Sequence, residues 1–399
     1  MAEGTAPARR WRRLALVVLL IALAARLAIV LHMKGAGDFA DTLEYDHSAR
    51  SILAGRGPGT DVPRAPLYPA FMALGFTIGG LGNYLAVRLL QLLPGLAIVV
   101  LTGWLAVRAS RANAAQAGAF ALAAAAISPM LVFTTGMLYP TALYTALLLL
   151  ATALALRLDR CPRPLEGALL GVVVGLVWLT DQIALVPVAG LVLWLAARLA
   201  PRGWRALATP AVTLLVAAGG MWGWVRWNEA HYGTSGLYFA KAQYVLHLGR
   251  NDPEYNGGRR IQDHAPFEAL PMDRLVRREW ALFRSRSGDY VHDYVWEFGH
   301  FFQPMPDRIQ SVNPYTGLGV RRVGAAYIAP LLALAVVGLA FGDSNPGVRC
   351  LLALPPLLTA FIYSFFITQA RYRVPVEPQL IALAALGWAR LRRAWERLS

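Results

Sequence analysis

Long apolar runs recur along this sequence, and they constrain the fold more than any motif does. Candidate spans lie at roughly 14–33, 84–107, 113–133, 137–157, 165–180, 182–199, 207–226, 323–341, 348–368 and 376–391. About 20 apolar residues at 1.5 Å each match a hydrocarbon core ~30 Å thick. Backbone in lipid must satisfy its own hydrogen bonds, which favours helices, and the runs are of helix length rather than the ~10-residue alternating strands of a barrel. The expected fold is all-α, a polytopic transmembrane bundle of about ten spans. The segments 165–180 and 182–199 are short, so one long bent segment competes with two spans there. Only 15% of the 399 residues are charged, against roughly 25% in soluble chains, and the mean hydropathy is +0.45.

Charge orients the bundle. The net charge of +15 comes largely from arginines flanking apolar runs, with no compact basic domain, so nucleic acid is not an expected partner. With the N-terminus inside, the inner loops carry Arg108, Arg111, Arg160, Arg163, Arg202 and Arg205, and the C-terminal tail carries Arg390, Arg392, Arg393 and Arg397. The short outer turns at 134–136 and 181 carry no basic residue. That asymmetry predicts an N-in, C-in topology. The cluster Arg9-Arg10-Trp11-Arg12-Arg13 before Leu14–His32 reads as a signal anchor, its apolar run being too long for a cleaved leader. Three regions follow: an N-terminal membrane module over 1–226, an outer region over 227–322 expected to form short helices on the membrane surface, and C-terminal membrane helices over 323–399.

Polar residues of chemical interest fall on the outer side. A helix starting near Asp41 places Asp41, Glu44, Tyr45 and Ser48 on one face, fit for acid–base work or for holding a cation. The plainer reading is that Asp41 caps the helix and that Asp46 and Arg50 form an i, i+4 pair. Pro63-Arg64-Ala65-Pro66 fixes an irregular segment whose arginine is either a snorkelling anchor or an anion ligand. Arg371 and Arg373 sit where the positive-inside bias should exclude them, which an anionic ligand would explain, as would pairing with Glu377. Arg26 and Asp181 lie within or between apolar runs, and Trp224 to Asn228 adds Arg226 among belt tryptophans. Cys161 and Cys350 form no metal or disulfide framework, and no zinc, phosphate-loop or nucleophile-elbow motif occurs. Carboxylates and arginines gathered at an outer interface suit a lipid-phosphate donor, with arginines holding the leaving phosphate and a carboxylate deprotonating an acceptor hydroxyl.

These residues resemble those of the GT-C superfamily of polyprenyl-phosphate-sugar glycosyltransferases, in particular bacterial family-39-type proteins related to protein O-mannosyltransferases and lipid A aminoarabinose transferases. The similar stretches are Asp41, Tyr45, Ala49 and Arg50 with Ile52-Leu53-Ala54-Gly55, then Arg64-Ala65-Pro66-Leu67-Tyr68-Pro69 and Ala86-Val87-Arg88-Leu89-Leu90-Gln91. Trp224-Val225-Arg226-Trp227-Asn228, Val276-Arg277-Arg278-Glu279 and Ala370-Arg371-Tyr372-Arg373-Val374-Pro375 follow in the family's order, so the likeness covers most of the chain. The resemblance implies that Asp41 is the catalytic carboxylate and that Arg64, Arg371 and Arg373 hold the donor phosphate. It implies that Tyr45 and Tyr372 shape the site, and Glu44, Tyr68, Arg226 and Asn228 are further expected substrate-binding residues. The implied reaction is inverting transfer of a sugar from a polyprenyl phosphate to a glycan, lipid or protein acceptor, on the periplasmic side of a bacterial inner membrane, with membrane lipids around it. The chain departs from the family pattern in three places. Ala65 replaces a proline, Pro140-Thr141 stands where a Thr-Glu pair is usual, and Asp181-Gln182 stands where Arg/Lys-Pro is usual. The second change removes a carboxylate that would help hold a divalent metal, so no cofactor is expected with certainty. The alternative function is non-catalytic: a lipid or solute transporter using Arg26 and Asp181, or a degenerate scaffold.

Overall fold

The computed structural model describes residues 5–33, 40–59, 64–232, 240–251, 258–262, 270, 272–305 and 318–398. Parts of the outer region, Pro63 and the ends of the first outer loop lie outside the described residues. Every regular element among the described residues is helical. We number the helices α1 (Thr5–His32), α2 (Ala40–Leu53), α3 (Leu67–Gly79), α4 (Tyr84–Ala109), α5 (Ala114–Ile127), α6 (Pro129–Gly136), α7 (Thr141–Arg160), α8 (Pro164–Thr180) and α9 (Leu185–Leu199). The chain continues as α10 (Trp204–Tyr232), α11 (Ala240–Asn251), α12 (Met272–Ser285), α13 (Ser287–Phe301), α14 (Leu318–Phe341), α15 (Pro346–Tyr363), α16 (Ala370–Arg373) and α17 (Glu377–Trp395).

Each apolar run of the sequence becomes a helix, but not every helix is long and apolar enough to cross a bilayer alone. Among the described residues seven are, and the bent pair α5–α6 makes an eighth if taken as one span. The other two of the sequence-based spans are α8, only 17 residues long, and α17, which carries charge at both ends. The 165–180 and 182–199 runs are separate helices, divided at Asp181 and a short 3₁₀ turn whose Ile183 N–H the Asp181 carboxylate accepts at 3.2 Å.

Packing follows small residues. Gly167 and Gly171 of α8 face the backbone of α10 so closely that a Cβ would lie 2.7 Å from the Thr209 carbonyl and 2.6 Å from that of Thr213. Close backbone approach compensates for the weak hydrophobic drive between helices in lipid. α17 is buried for most of its length, against α14, α15, α5 and α4.

The break between α5 and α6 positions the site. Pro129 cannot continue the hydrogen bonding of α5, and the chain bends by 48°. Buried Arg26 of α1 donates to the freed carbonyls of Ala125 (3.2 Å) and Ala126 (3.0 Å). Such capture is what lets a broken helix persist at membrane depth. At the far end of α6, Arg88 donates to Gly136 O (2.7 Å), and Gln91 donates to Thr135 O (2.8 Å) and Met137 O (2.7 Å). Arg26, read from sequence as a functional candidate, thus has a structural task.

The outer region forms helices as expected. α12 is strongly amphipathic, and exposed Val276 and Trp280 share its length with Arg274, Arg277 and Arg284. α13 is tied down by a buried ion pair between Arg259 and Glu297 (2.7 Å), and Asp293 accepts the N–H groups of Arg260 (2.8 Å) and Ile261 (3.0 Å). Glu297 also accepts the Thr368 N–H at 2.8 Å, linking α13 to the segment that leads into α16.

Candidate active site

α2 forms where the sequence spacing places it, with Asp41 in its first turn, and Arg50 donates to Asp46 at 2.8 Å as the spacing suggested. Arg64 enters from the irregular segment before α3 and binds both carboxylates of the α2 face. Its Nη2 donates to Asp41 Oδ1 at 2.8 Å and its Nε to Glu44 Oε2 at 2.5 Å. The guanidinium also lies over the Tyr45 ring, 5.0 Å from its centre. The arginine side chain is 8% exposed while those of Asp41 and Glu44 are 30% and 43% exposed. The cation therefore forms the floor, and the carboxylates open outward.

A residue that the sequence reading missed completes this layer. The Tyr139 hydroxyl donates to Asp41 Oδ2 at 3.1 Å, so the carboxylate is gripped from both sides. Tyr139 stands in the turn that Arg88 and Gln91 hold by its flanking carbonyls. Tyr68 donates to Gln91 Oε1 at 2.6 Å, and Tyr45 packs edge-on against both Tyr68 and Tyr139 at 5.2 and 5.7 Å. Tyr68, expected to touch substrate, is fully buried and supports the site from beneath. The quoted Arg88 and Gln91 were the available signal for this support, but nothing in their spacing named Tyr139.

Arg371 reaches the same layer from the other end of the chain. Its Nη2 donates to the Tyr372 hydroxyl at 3.1 Å, and its Nε is buried with no hydrogen-bond partner. Among the described residues no carboxylate lies within ion-pair distance of it. Burial works against its charge, but Tyr372, Tyr139 and Asp41 around it outweigh that and hold its pKa above the ordinary value. For Arg64 too burial opposes the charge, and Tyr45, Asp41 and Glu44 raise it on balance. Burial pushes the Tyr45 phenol up, opposed by Arg64 and reinforced by Asp41, Asp181 and Glu44. The Tyr139 phenol is likewise raised, chiefly by burial. Both phenols remain neutral at ordinary pH.

Two of the expected residues are engaged elsewhere. Arg373 is 1% exposed and donates through Nη1 to the carbonyls of Phe301 (3.1 Å) and Gln303 (2.7 Å), fastening α16 to the end of α13. It is oriented this way because those carbonyls end a helix and lack partners of their own. Glu377, its suggested partner, accepts the Ser128 hydroxyl at 2.6 Å. Arg226 lies on the exposed surface of α10, paired with Glu229 at 2.5 Å, and Asn228 is buried with its side-chain oxygen unpartnered. α10 still touches the first outer loop. Trp227 covers Gly57, whose φ of +77° suits glycine, and a Cβ there would lie 2.8 Å from the indole.

The donor set does not fit a divalent cation. Asp41 and Glu44 share one guanidinium, Thr141 adds no charge, and among the described residues no group of three His, Cys, Asp or Glu side chains converges. Two carboxylates bridged by arginine are the wrong start for a site that wants several free oxygens.

No family model matches the sequence. ArnT from Cupriavidus metallidurans bound to undecaprenyl phosphate superposes on the chain with a TM-score of 0.53 at 18% identity, covering 100% of this chain and 62% of that one. Its apo state gives 0.51 at 17% identity, covering 99% and 62%. The chain shares the fold of that membrane protein. That likeness fixes the architecture and not the reaction, and the chain spans less than two thirds of ArnT. The heme A synthase of Paracoccus denitrificans (strain Pd 1222) is 29% identical over 223 residues, 42% of this chain and 55% of that protein. Among the described residues the histidines stand at helix ends such as His32 and His231, or on the short outer helices. Within this fold, then, Asp41, Arg64, Tyr139 and Arg371 form one polar layer, assembled from three distant parts of the chain.

Proposed function

We propose that the chain is an inverting glycosyltransferase of GT-C type, moving a sugar from a polyprenyl-phosphate donor to an extracytoplasmic acceptor. The observation that carries this is Arg371, a half-buried guanidinium whose buried Nε has no hydrogen-bond partner and which makes no ion pair among the described residues, near enough to Asp41 to feel its charge. An arginine with an unused buried donor and no paired carboxylate can take up an incoming anion. At a membrane interface, a lipid phosphate is the anion at hand.

In this reading the donor phosphate binds Arg371 and draws Arg64 away from Asp41, while Tyr139 keeps the carboxylate aimed. Asp41 takes the proton of the acceptor hydroxyl. The acceptor oxygen forms a bond to the anomeric carbon on the side opposite the phosphate, and the anomeric C–O bond breaks. One in-line displacement inverts the anomeric centre. The products are the glycosylated acceptor and polyprenyl phosphate, whose charge the arginines hold until it leaves. Arg373 supports the site by holding α16.

The arginine-rich ends of α4, α7 and α9 lie on the face opposite Asp41, which supports N-in, C-in placement in a bacterial inner membrane with the site facing the periplasm. A transporter built on Arg26 is less well supported, because that side chain is occupied with the α5–α6 break. Purified protein incubated with radiolabelled undecaprenyl- and decaprenyl-phosphate sugars and a cell-envelope acceptor fraction should transfer label. Full transfer by Asp41→Asn would sink the assignment.

A further inference from the structure

A second arginine cluster lies at the opposite face. α4 begins near the site, where Tyr84 donates to Asp46 at 3.2 Å. It then runs about 36 Å from Tyr84 to Arg108 at 1.5 Å per residue. There α4 and α7 enclose a concavity of about 260 Å³ lined by Trp104, Arg108, Leu156, Arg157, Arg160 and Cys161. Several arginines on this face have a carboxylate partner, some of them a shared one. Arg157 pairs with Glu166, Arg198 and Arg202 with Asp159, Arg392 with Glu396 and Arg393 with Asp343. Among the described residues Arg108 makes no ion pair or side-chain hydrogen bond, and Arg160 makes no ion pair. Arg160 donates through Nη2 to the Arg108 carbonyl at 2.6 Å, which holds the two residues side by side. Among the described residues neither meets a carboxylate. Two guanidinium groups lining one concavity make it favourable for an anion.

We propose that this concavity binds the headgroup of an anionic phospholipid, its phosphate between Arg108 and Arg160. The surroundings have a lipid's polarity profile. The Arg108 guanidinium lies 5.4 Å from the centre of the Trp104 ring, one turn deeper, at the level where tryptophans mark the interface. Buried Leu156 forms the floor. Below the headgroup, exposed Val100 and Leu93 continue one stripe of α4 into the hydrocarbon. On the adjoining side of α4, a second concavity lined by Gly103, Val107 and Leu122 is almost wholly apolar and suits an acyl chain. Basic pockets between membrane helices at a charged leaflet recognise anionic headgroups by these means.

Native mass spectrometry of the detergent-solubilised full chain tests this by titration with dioleoylphosphatidylglycerol and dioleoylphosphatidylcholine. The first phosphatidylglycerol should bind at least fivefold more weakly to Arg108→Gln/Arg160→Gln than to the parent, with phosphatidylcholine binding unaffected. Arg205→Gln/Arg397→Gln removes the same charge elsewhere and should leave phosphatidylglycerol affinity unchanged. Equal weakening in both pairs, or phosphatidylcholine binding as tightly as phosphatidylglycerol, overturns the proposal. So does competition by inorganic phosphate at matched concentration, which would make this a plain anion site. If the double variant does not fold, a photoactivatable phosphatidylglycerol on the parent protein decides: crosslinks at the ends of α4 and α7 support the proposal, and crosslinks confined to other helices refute it.

Discussion

At the scale of single residues, Asp41 is held between a cation and a phenol, and each contact makes its own prediction. Asp41→Asn keeps the hydrogen-bonding shape and removes the base, so transfer should fall ~10²–10⁴-fold with the thermal melting point little changed. Tyr139→Phe loses a hydrogen bond to a charged group, of ~1.5–3 kcal/mol. We expect kcat to fall roughly 10- to 100-fold while KM for the donor holds, because Tyr139 touches the carboxylate and not the phosphate. Arg371→Gln should do the reverse and chiefly weaken donor binding. The phenols also predict a pH effect. Tyr45 and Tyr139 are raised above the ordinary tyrosine value when folded, so the unfolded chain loses these protons first. Their contribution to stability is complete below pH ~10 and declines as the pH rises beyond it. Melting temperatures measured from pH 8 to 11 should fall in the alkaline range, less so in Tyr139→Phe. The sequence made Asp41, Glu44 and Arg64 legible because they lie within one short stretch of helix and turn. It could not make Tyr139 legible, since its place depends on carbonyls held by Arg88 and Gln91 from another helix.

At the scale of elements, the outer region acts on the site through α13. Arg259 and Glu297 are 4% and 1% exposed at their side chains. Glu297→Ala leaves the arginine buried and unpaired and also deprives the Thr368 N–H of its acceptor. Loss of one partner of such a pair costs ~3–5 kcal/mol. Denaturant or thermal unfolding should show that loss, and residual transfer at permissive temperature should show a raised KM for the donor as α16 loosens. Gly171→Leu should fail differently, by parting α8 from α10, and membrane yield and monodispersity should collapse together. The sequence marks α8 as short and apolar, but it does not say which glycines meet a partner's backbone.

At the scale of the whole molecule, the sequence reveals the bundle because lipid leaves the backbone few choices. Periodicity and charge do not fix how many helices cross: α8 is too short and α17 too polar at its ends to cross by length and apolarity alone. Burial of α17 by its neighbours compensates for what its own hydropathy lacks. The α5–α6 bend, held by Arg26 from α1 and followed by a turn held from α4, also bears on biogenesis. Helices enter the membrane in chain order, so the clasp for that bend is already waiting when the bend emerges from the ribosome. The layer around Asp41 stays incomplete until Arg371 arrives almost at the end of synthesis. If the proposed function holds, a nascent chain halted before α16 would carry Asp41 and Tyr139 in the membrane without the charge proposed to seat a donor, and should be inert during its own insertion.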